Sequence, residues 1–208
     1  MRFRDLIWDF DGTLFDTYPA MSRALRYALQ QLGHDCPQEE IANHLKITLQ
    51  HAIESYAKRL AIRAEILRDA YDRLKNPLQM ALAQPFPGAG KICAAVAGAG
   101  GRNFILTHKE KALTQILLEN HRMVGLFTAL VSGDDGFPRK PSPEGFLHLV
   151  ARYGLTPRTT LTVGDRAIDI QAARAAGLPT CYIGTIAPED LRVDFSVTNL
   201  TELAALLF

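Results

Sequence analysis

Two aspartates stand two residues apart in Asp9-Phe10-Asp11-Gly12-Thr13-Leu14, directly after the apolar run Leu6-Ile7-Trp8. Carboxylates so spaced at a strand end can converge on one oxygen-seeking cation such as Mg²⁺. Gly12 permits a sharp backbone turn, and the N–H groups of Gly12 and Thr13 can cradle a phosphate. Asp, Gly and Thr are also ordinary turn residues, so this segment alone is ambiguous. Thr107 closes a second apolar run, Phe104-Ile105-Leu106, where its hydroxyl and the N–H of His108 can meet a phosphate oxygen. The plainer alternative there is a helix N-cap. Lys140 lies in Phe137-Pro138-Arg139-Lys140-Pro141-Ser142-Pro143-Glu144. Pro143 suits a first helical position, which puts the lysine on a loop ahead of a helix, either reaching a phosphate as a point charge or simply solvated. Asp165 and Asp169 complete the set in Val163-Gly164-Asp165-Arg166-Ala167-Ile168-Asp169. Their spacing predicts both carboxylates on one helix face, turned back toward the strand end. Acids in a first helical turn also answer the helix dipole, which accounts for Asp169 better than for Asp165.

Five short apolar runs must position these groups: Leu6–Trp8, Phe104–Leu106, Ala129–Val131, Thr160–Val163 and Thr180–Ile183. Each is followed by polar or glycine residues and then mostly by a helical pattern. That alternation predicts an α/β fold with a parallel sheet covered on both faces. All four constellations fall just beyond the C-terminal ends of strands, where open α/β sheets hold their ligands. Together they offer carboxylates, a hydroxyl, a lysine and a backbone nest, an inventory suited to phosphoryl transfer with a divalent metal.

One stretch breaks the alternation. From Tyr18 to Ala83 only helical pattern appears, at Met21–Leu32, Gln38–Leu45, Leu49–Leu60 and Ala64–Leu82, before Pro85-Phe86-Pro87-Gly88 closes it. A crossover between strands needs one helix, not four. Residues 17–84 therefore read as an inserted helical subdomain, and residues 1–16 with 85–208 as the core. Gly98-Ala99-Gly100-Gly101 precedes a strand instead of following one, so it reads as a helix-to-strand turn and not a nucleotide loop.

The 208 residues are 48% hydrophobic and 22% charged, which excludes a disordered or fibrous chain. Lys plus Arg is 23 against 22 for Asp plus Glu, a net charge of +1 that argues against a nucleic-acid or membrane-surface binder. Cys36, Cys93 and Cys181 form no metal or disulfide spacing and point to a reducing compartment. No apolar signal core fits before Asp9, and no run is long enough to span a membrane, so a cytoplasmic protein is expected.

In their order and spacing, Asp9/Asp11, Thr107, Lys140 and Asp165/Asp169 resemble the four motifs of the haloacid dehalogenase-like hydrolases across essentially the whole chain. The resemblance implies a Rossmann-like, doubly wound, mainly parallel sheet with an all-helical cap, as in the branch holding phosphoglycolate-phosphatase-like and β-phosphoglucomutase-like enzymes. It implies a Mg²⁺-dependent phosphatase acting on a small phosphorylated metabolite, a monomer or homodimer. Asp9 would be the nucleophile and form an aspartyl-phosphate, and Asp11 the general acid and base. Gly12, Thr13, Thr107, His108 and Lys140 would hold the phosphoryl oxygens. Asp9, Asp11 (through its carbonyl), Asp165 and Asp169 would hold the metal. Dehalogenases of the family lack the second aspartate of the first motif, so Asp11 argues against dehalogenation. A phosphomutase would use the same core, and a non-catalytic binding protein would usually have lost one of these acids.

The chain departs from the pattern at two places. Many relatives carry Asn where this chain has His108, followed by Lys109, and Ser or Thr where it has Arg166. Both departures could touch a substrate, and Arg166 is a candidate substrate contact. In capped relatives a loop between the early cap helices reads the leaving group. Leu45-Lys46-Ile47-Thr48-Leu49 is the matching stretch here, with Lys46 able to meet an anionic leaving group and Thr48 suited to cap the next helix. His44 and His51 read as helix-surface residues.

Overall fold

Trp8 has no exposed surface, and its indole N–H donates to Asn103 Oδ1 at 3.0 Å. The first strand is thus tied into the middle of a sheet. In the computed structural model, which describes residues 1–74, 82–185, 187 and 190–208, the strands are β1 (Asp5–Trp8), β2 (Phe15–Asp16), β3 (Gln84–Pro85), β4 (Arg102–Leu106), β5 (Ala129–Val131), β6 (Thr160–Gly164), β7 (Thr180–Ile183) and β8 (Phe195–Val197). Six of them form one sheet in the order β5-β4-β1-β6-β7-β8, with parallel pairing throughout. Trp8 stands opposite Ile105 on one side and Val163 on the other.

The chain winds outward from β1 to β5, returns past β1 to β6, and then winds outward the other way. This is a doubly wound, Rossmann-like α/β sheet. The reversal occurs at β1, and a crevice opens at the C-terminal ends of strands flanking such a reversal. Asp9, Thr107 and Asp165 directly follow β1, β4 and β6. Ile7, Phe104 and Val131 pack on one continuous apolar cluster with Phe146, Leu149 and Ala172. Burial of that kind is the dominant stabilising term and holds β1, β4 and β5 together beneath the site.

Two compact units are distinguished, Met1–Phe15 with Pro85–Phe208, and Asp16–Gln84. The short strands β2 and β3 pair with each other. The Asp16–Gln84 unit contains α1 (Tyr18–Gln31), α2 (Gln38–Ile47), α3 (Leu49–Leu60) and α4 (Ala64–Leu74). α1 packs on α2 and α4, and α3 on α2 and α4, around Leu25, Leu29, Ile41, Ile53 and Tyr71. The helical run expected to continue to Leu82 falls partly on residues 75–81, outside the described residues. The first unit adds α5 (Ala89–Gly98), α6 (Lys111–Asn120), α7 (Glu144–Tyr153), α8 (Ala167–Ala175) and α9 (Leu200–Leu207). Gly98-Ala99-Gly100-Gly101 is the turn from α5 into β4. Among the described residues no helix is long and apolar enough to cross a membrane.

Candidate active site

Asp9 continues the ladder one residue past β1, its N–H donating to Val163 O at 2.9 Å. The chain then closes a tight loop. Phe10 O accepts the N–H groups of Leu14 (3.1 Å) and Phe15 (3.0 Å), and the Phe10 and Phe15 rings stack at 4.6 Å. Gly12 makes the turn at φ +83°, a conformation that costs a residue with a Cβ but not glycine. The N–H groups expected to form a phosphate nest have partners within this loop. The Gly12 N–H donates to Phe15 O at 2.8 Å and the Thr13 N–H points to Phe10 O at 3.4 Å, so both are committed within the turn. The Thr13 hydroxyl donates to Asp165 Oδ1 at 3.3 Å instead, bracing an acid across the site.

Thr107 follows β4, and its N–H donates to Val131 O while its buried hydroxyl accepts the N–H of Lys109 at 3.1 Å. It is not the cap of the next helix: α6 begins at Lys111, with Glu110 in the capping position. Lys140 sits on the loop before α7, where Pro143 occupies the N-cap, one residue earlier than expected. The side chain of Lys140 is almost wholly buried, with Nζ 2.5 Å from both Asp9 Oδ1 and Asp169 Oδ1 and 3.0 Å from Leu106 O. A buried ammonium needs such partners to stay charged.

Asp165 and Asp169 do not share a helix face. Asp165 precedes α8, which starts at Ala167, while Asp169 is the third residue of that helix and accepts the backbone N–H of Arg166 at 3.2 Å. Gly164 makes this arrangement feasible: a Cβ there would lie 2.5 Å from Asp169 Cβ. The glycine lets the first turn of α8 close onto the end of β6 and brings Asp169 to Lys140.

Carboxylate oxygens of Asp9, Asp165 and Asp169 all lie within 4.8 Å of one another. An all-oxygen set of this kind suits a hard divalent cation. Asp11 directs its carboxylate to Lys109 Nζ at 2.9 Å, outside that cluster. Arg166 reaches Asp9 and Asp169 with its guanidinium at 3.3 Å. Burial pushes the Asp9 carboxyl up, and the neighbouring Asp169 adds to the rise against the pull of Lys140 and Arg166. For Asp169 the burial effect is outweighed by Arg166 and Lys140, which hold it at about 2. Burial would lower Lys140, but Asp169 and Asp9 raise it. Asp9, Asp11, Asp165 and Asp169 thus face Lys109, Lys140 and Arg166, leaving net negative charge for a divalent ion to answer.

The sequence gives His108 a backbone contact and a side chain that could touch a substrate; in the structure that side chain braces the lysine loop. Nε2 accepts the Lys140 N–H at 2.8 Å, and burial together with Lys140, Arg166 and Arg139 lowers the imidazole to about 3. Lys109, which with His108 departs from the family pattern at a position that could touch a substrate, instead pairs with Asp11. The residues expected to read a leaving group fall differently. Leu45-Lys46-Ile47 is the last turn of α2, not a loop, and Lys46 is exposed there. Thr48 alone separates two helices, and its hydroxyl caps α3 by accepting the His51 N–H at 2.9 Å. His44 and His51 are half-buried and stack at 5.4 Å instead of lying free on the surface.

The model of the haloacid dehalogenase-like hydrolase family matches residues 6–183, and the chain belongs to that family. It is a hydrolase, and curated proteins similar to it include phosphatases. It is similar to a phosphoglycolate phosphatase from Aliivibrio fischeri, 30% identical over 181 residues that cover 83% of this chain and 80% of that one. A phosphoglycolate phosphatase from Nitrosospira multiformis is 33% identical over 180 residues, covering 81% of this chain and 78% of its own. Among solved structures, a predicted phosphoglycolate phosphatase from Haemophilus somnus matches with a TM-score of 0.86 at 19% identity, covering 100% of this chain and 99% of that one. That likeness shows the fold.

Proposed function

We propose that this chain is a Mg²⁺-dependent phosphatase that hydrolyses a small phosphorylated metabolite through an aspartyl-phosphate on Asp9. One observation carries the reading: Asp9 is fixed at the end of β1 with Lys140 at 2.5 Å and two further carboxylates beside it. A nucleophile so placed can reach a phosphorus atom whose charge is answered on several sides.

An Asp9 oxygen bonds to phosphorus as the bond from phosphorus to the leaving oxygen breaks. Asp11, protonated, gives its proton to that oxygen. The resulting carboxylate then takes a proton from water, whose oxygen bonds to phosphorus and frees Asp9 and inorganic phosphate. Thr107, the His108 N–H and Lys140 hold the phosphoryl oxygens. Asp9, Asp165 and Asp169, with the Asp11 carbonyl, would hold Mg²⁺, which when bound neutralises the phosphate dianion. The Asp16–Gln84 unit serves as the cap, with exposed Lys46 as its reader of an anionic leaving group. We place the reaction in the cytoplasm, in keeping with three free, buried cysteines, and expect a monomer or homodimer.

The curated relatives make phosphoglycolate the first substrate to test. Phosphate release should be measured with phosphoglycolate, sugar phosphates, nucleotides and pyrophosphate, each with Mg²⁺ and with excess chelator. Mg²⁺-dependent release from one small monoester is expected. Turnover that survives excess chelator would overturn the metal assignment. Bisphosphate-primed isomerisation of a sugar phosphate without net release would make the enzyme a mutase.

A further inference from the structure

Arg166 contacts two of the three carboxylates that would receive the cation. Its Nη2 lies 3.3 Å from Asp9 Oδ1, 3.4 Å from Asp9 Oδ2 and 3.3 Å from Asp169 Oδ1, while its Nε lies 3.3 Å from Asp169 Oδ2. Asp169 is heavily engaged: Oδ1 also faces Lys140 at 2.5 Å, and Oδ2 also accepts the backbone N–H of Arg166 at 3.2 Å. A carboxylate has about four lone-pair sites in all. Mg²⁺ demands its ligands at about 2.0–2.1 Å in near-octahedral array. It cannot take those oxygens while every present donor keeps them.

We propose that Arg166 competes directly with the divalent cation for Asp9 and Asp169, so that loading the metal requires its guanidinium to leave these carboxylates. The inference rests on the metal reading of the same site. Lys140 is not the displaceable partner. Its ammonium is enclosed, lies at 2.5 Å from both acids, and is anchored to Leu106 O. The Arg166 contacts are longer, and the residue stands at the start of α8 with its side chain 10% exposed. Two cations cannot share one oxygen set without repulsion among side chains as buried as these. By linkage, whatever the guanidinium gains from the acids is subtracted from the binding of the ion.

The test is calorimetric titration of the full chain with Mg²⁺ alone, without substrate, on wild type, Arg166→Ser, Arg166→Lys and Arg174→Ser. Arg174 is exposed near the other end of α8, so its loss removes the same charge from the same helix. We expect Arg166→Ser to bind Mg²⁺ about tenfold more tightly, about 1.4 kcal/mol. Arg166→Lys, which loses the forked contacts but keeps a charge, should gain less, and Arg174→Ser should stay within about twofold of wild type. The thermal midpoint of Arg166→Ser should also rise more between chelator and saturating Mg²⁺ than that of wild type. Equal or weaker Mg²⁺ binding by Arg166→Ser would overturn the competition while leaving the metal site standing. If that variant fails to fold, Arg166→Lys decides by the same comparison with wild type. No Mg²⁺ binding by any of the proteins would remove both readings.

Discussion

His108 Nε2 accepts the backbone N–H of Lys140 at 2.8 Å, joining the end of β4 to the loop that carries the site's buried ammonium. An imidazole nitrogen accepts a hydrogen bond only when it is unprotonated. Burial, with Lys140, Arg166 and Arg139 nearby, enforces that state by lowering the ring to about 3. One side chain thus fixes the lysine loop without adding charge to a site already crowded with it.

This has a pH signature. The folded ring titrates far below its unfolded value of about 6.5, so the unfolded chain takes up a proton that the folded chain refuses. The stabilisation is complete above about pH 6.5 and is lost as pH falls toward 3. Between pH 7 and pH 5, wild type should lose about 2 kcal/mol more stability than His108→Asn, which has no proton to gain. Urea denaturation at the two pH values measures this. Equal losses in the two proteins would mean that the ring is not held neutral by the fold.

Lys109 pairs with Asp11 at 2.9 Å, and both side chains are largely buried. An ammonium so placed holds the carboxylate in one orientation, which on the proposed route lets Asp11 meet a leaving oxygen and then a water. Lys109→Met should lower kcat about 10- to 100-fold with Mg²⁺ affinity little changed, and Lys109→Arg should recover part of the loss. A rise in KM with kcat intact would instead assign Lys109 to substrate binding.

On the proposed route Asp9→Asn removes both the nucleophile and a metal ligand, so turnover and any trapped phosphoenzyme should vanish together. Asp11→Asn keeps the backbone carbonyl but loses the proton carrier, so hydrolysis should fall severely while Mg²⁺ binding persists. Rates and acid-quenched phosphoenzyme distinguish the two variants. Wild-type turnover in Asp9→Asn would refute the covalent route.

Lys46 is exposed in the last turn of α2, where removing it costs little packing. If it reads an anionic leaving group, Lys46→Ala should lower kcat/KM on the best anionic substrate and leave a simple aryl phosphate nearly unchanged. Equal losses on both substrates would point to folding or cap closure, and no loss would remove Lys46 from recognition.

The strands that carry the site are legible because each of the five is a short run of apolar and β-branched residues, the mark of strands buried on both faces. β8 gives no such signal: Phe195-Ser196-Val197 is three residues long, and its middle residue is exposed at the sheet edge. The α2–α3 junction reads as a loop because a single extended residue, Thr48, suffices to end one helix and cap the next. The expected pairing of Asp165 with Asp169 assumes a helix through both, whereas α8 starts after Asp165. Above all, spacing along a chain says nothing of partners far apart in it. Lys140 meets Asp9 across 131 positions, and the His108 ring meets the Lys140 backbone across 32. Motif order indicates which residue types converge, but which hydrogen bonds they make is a property of the packed sheet.

Gly164 offers a test of that packing. A Cβ added there would stand 2.5 Å from Asp169 Cβ, closer than real Cβ contacts come, and tightly at 3.0 Å from its Cγ and 3.1 Å from Oδ2. Asp169 cannot simply turn aside, because Lys140 and the Arg166 N–H hold its two oxygens from different directions. Gly164→Ala should therefore push the first turn of α8 off the end of β6. Overpacking of this kind costs about 1–3 kcal/mol. It should also weaken Mg²⁺ binding, because the displaced carboxylate belongs to the three-acid cluster. Gly98→Ala, at the end of α5 with nothing within 4 Å of the added carbon, is the matched control and should be neutral or slightly stabilising. Denaturation midpoints and Mg²⁺ titrations of the two variants decide the matter. If Gly164→Ala matches wild type in both, the close approach of α8 to β6 is not what positions Asp169. If it loses stability but keeps its Mg²⁺ affinity, Asp169 supports the fold and not the ion.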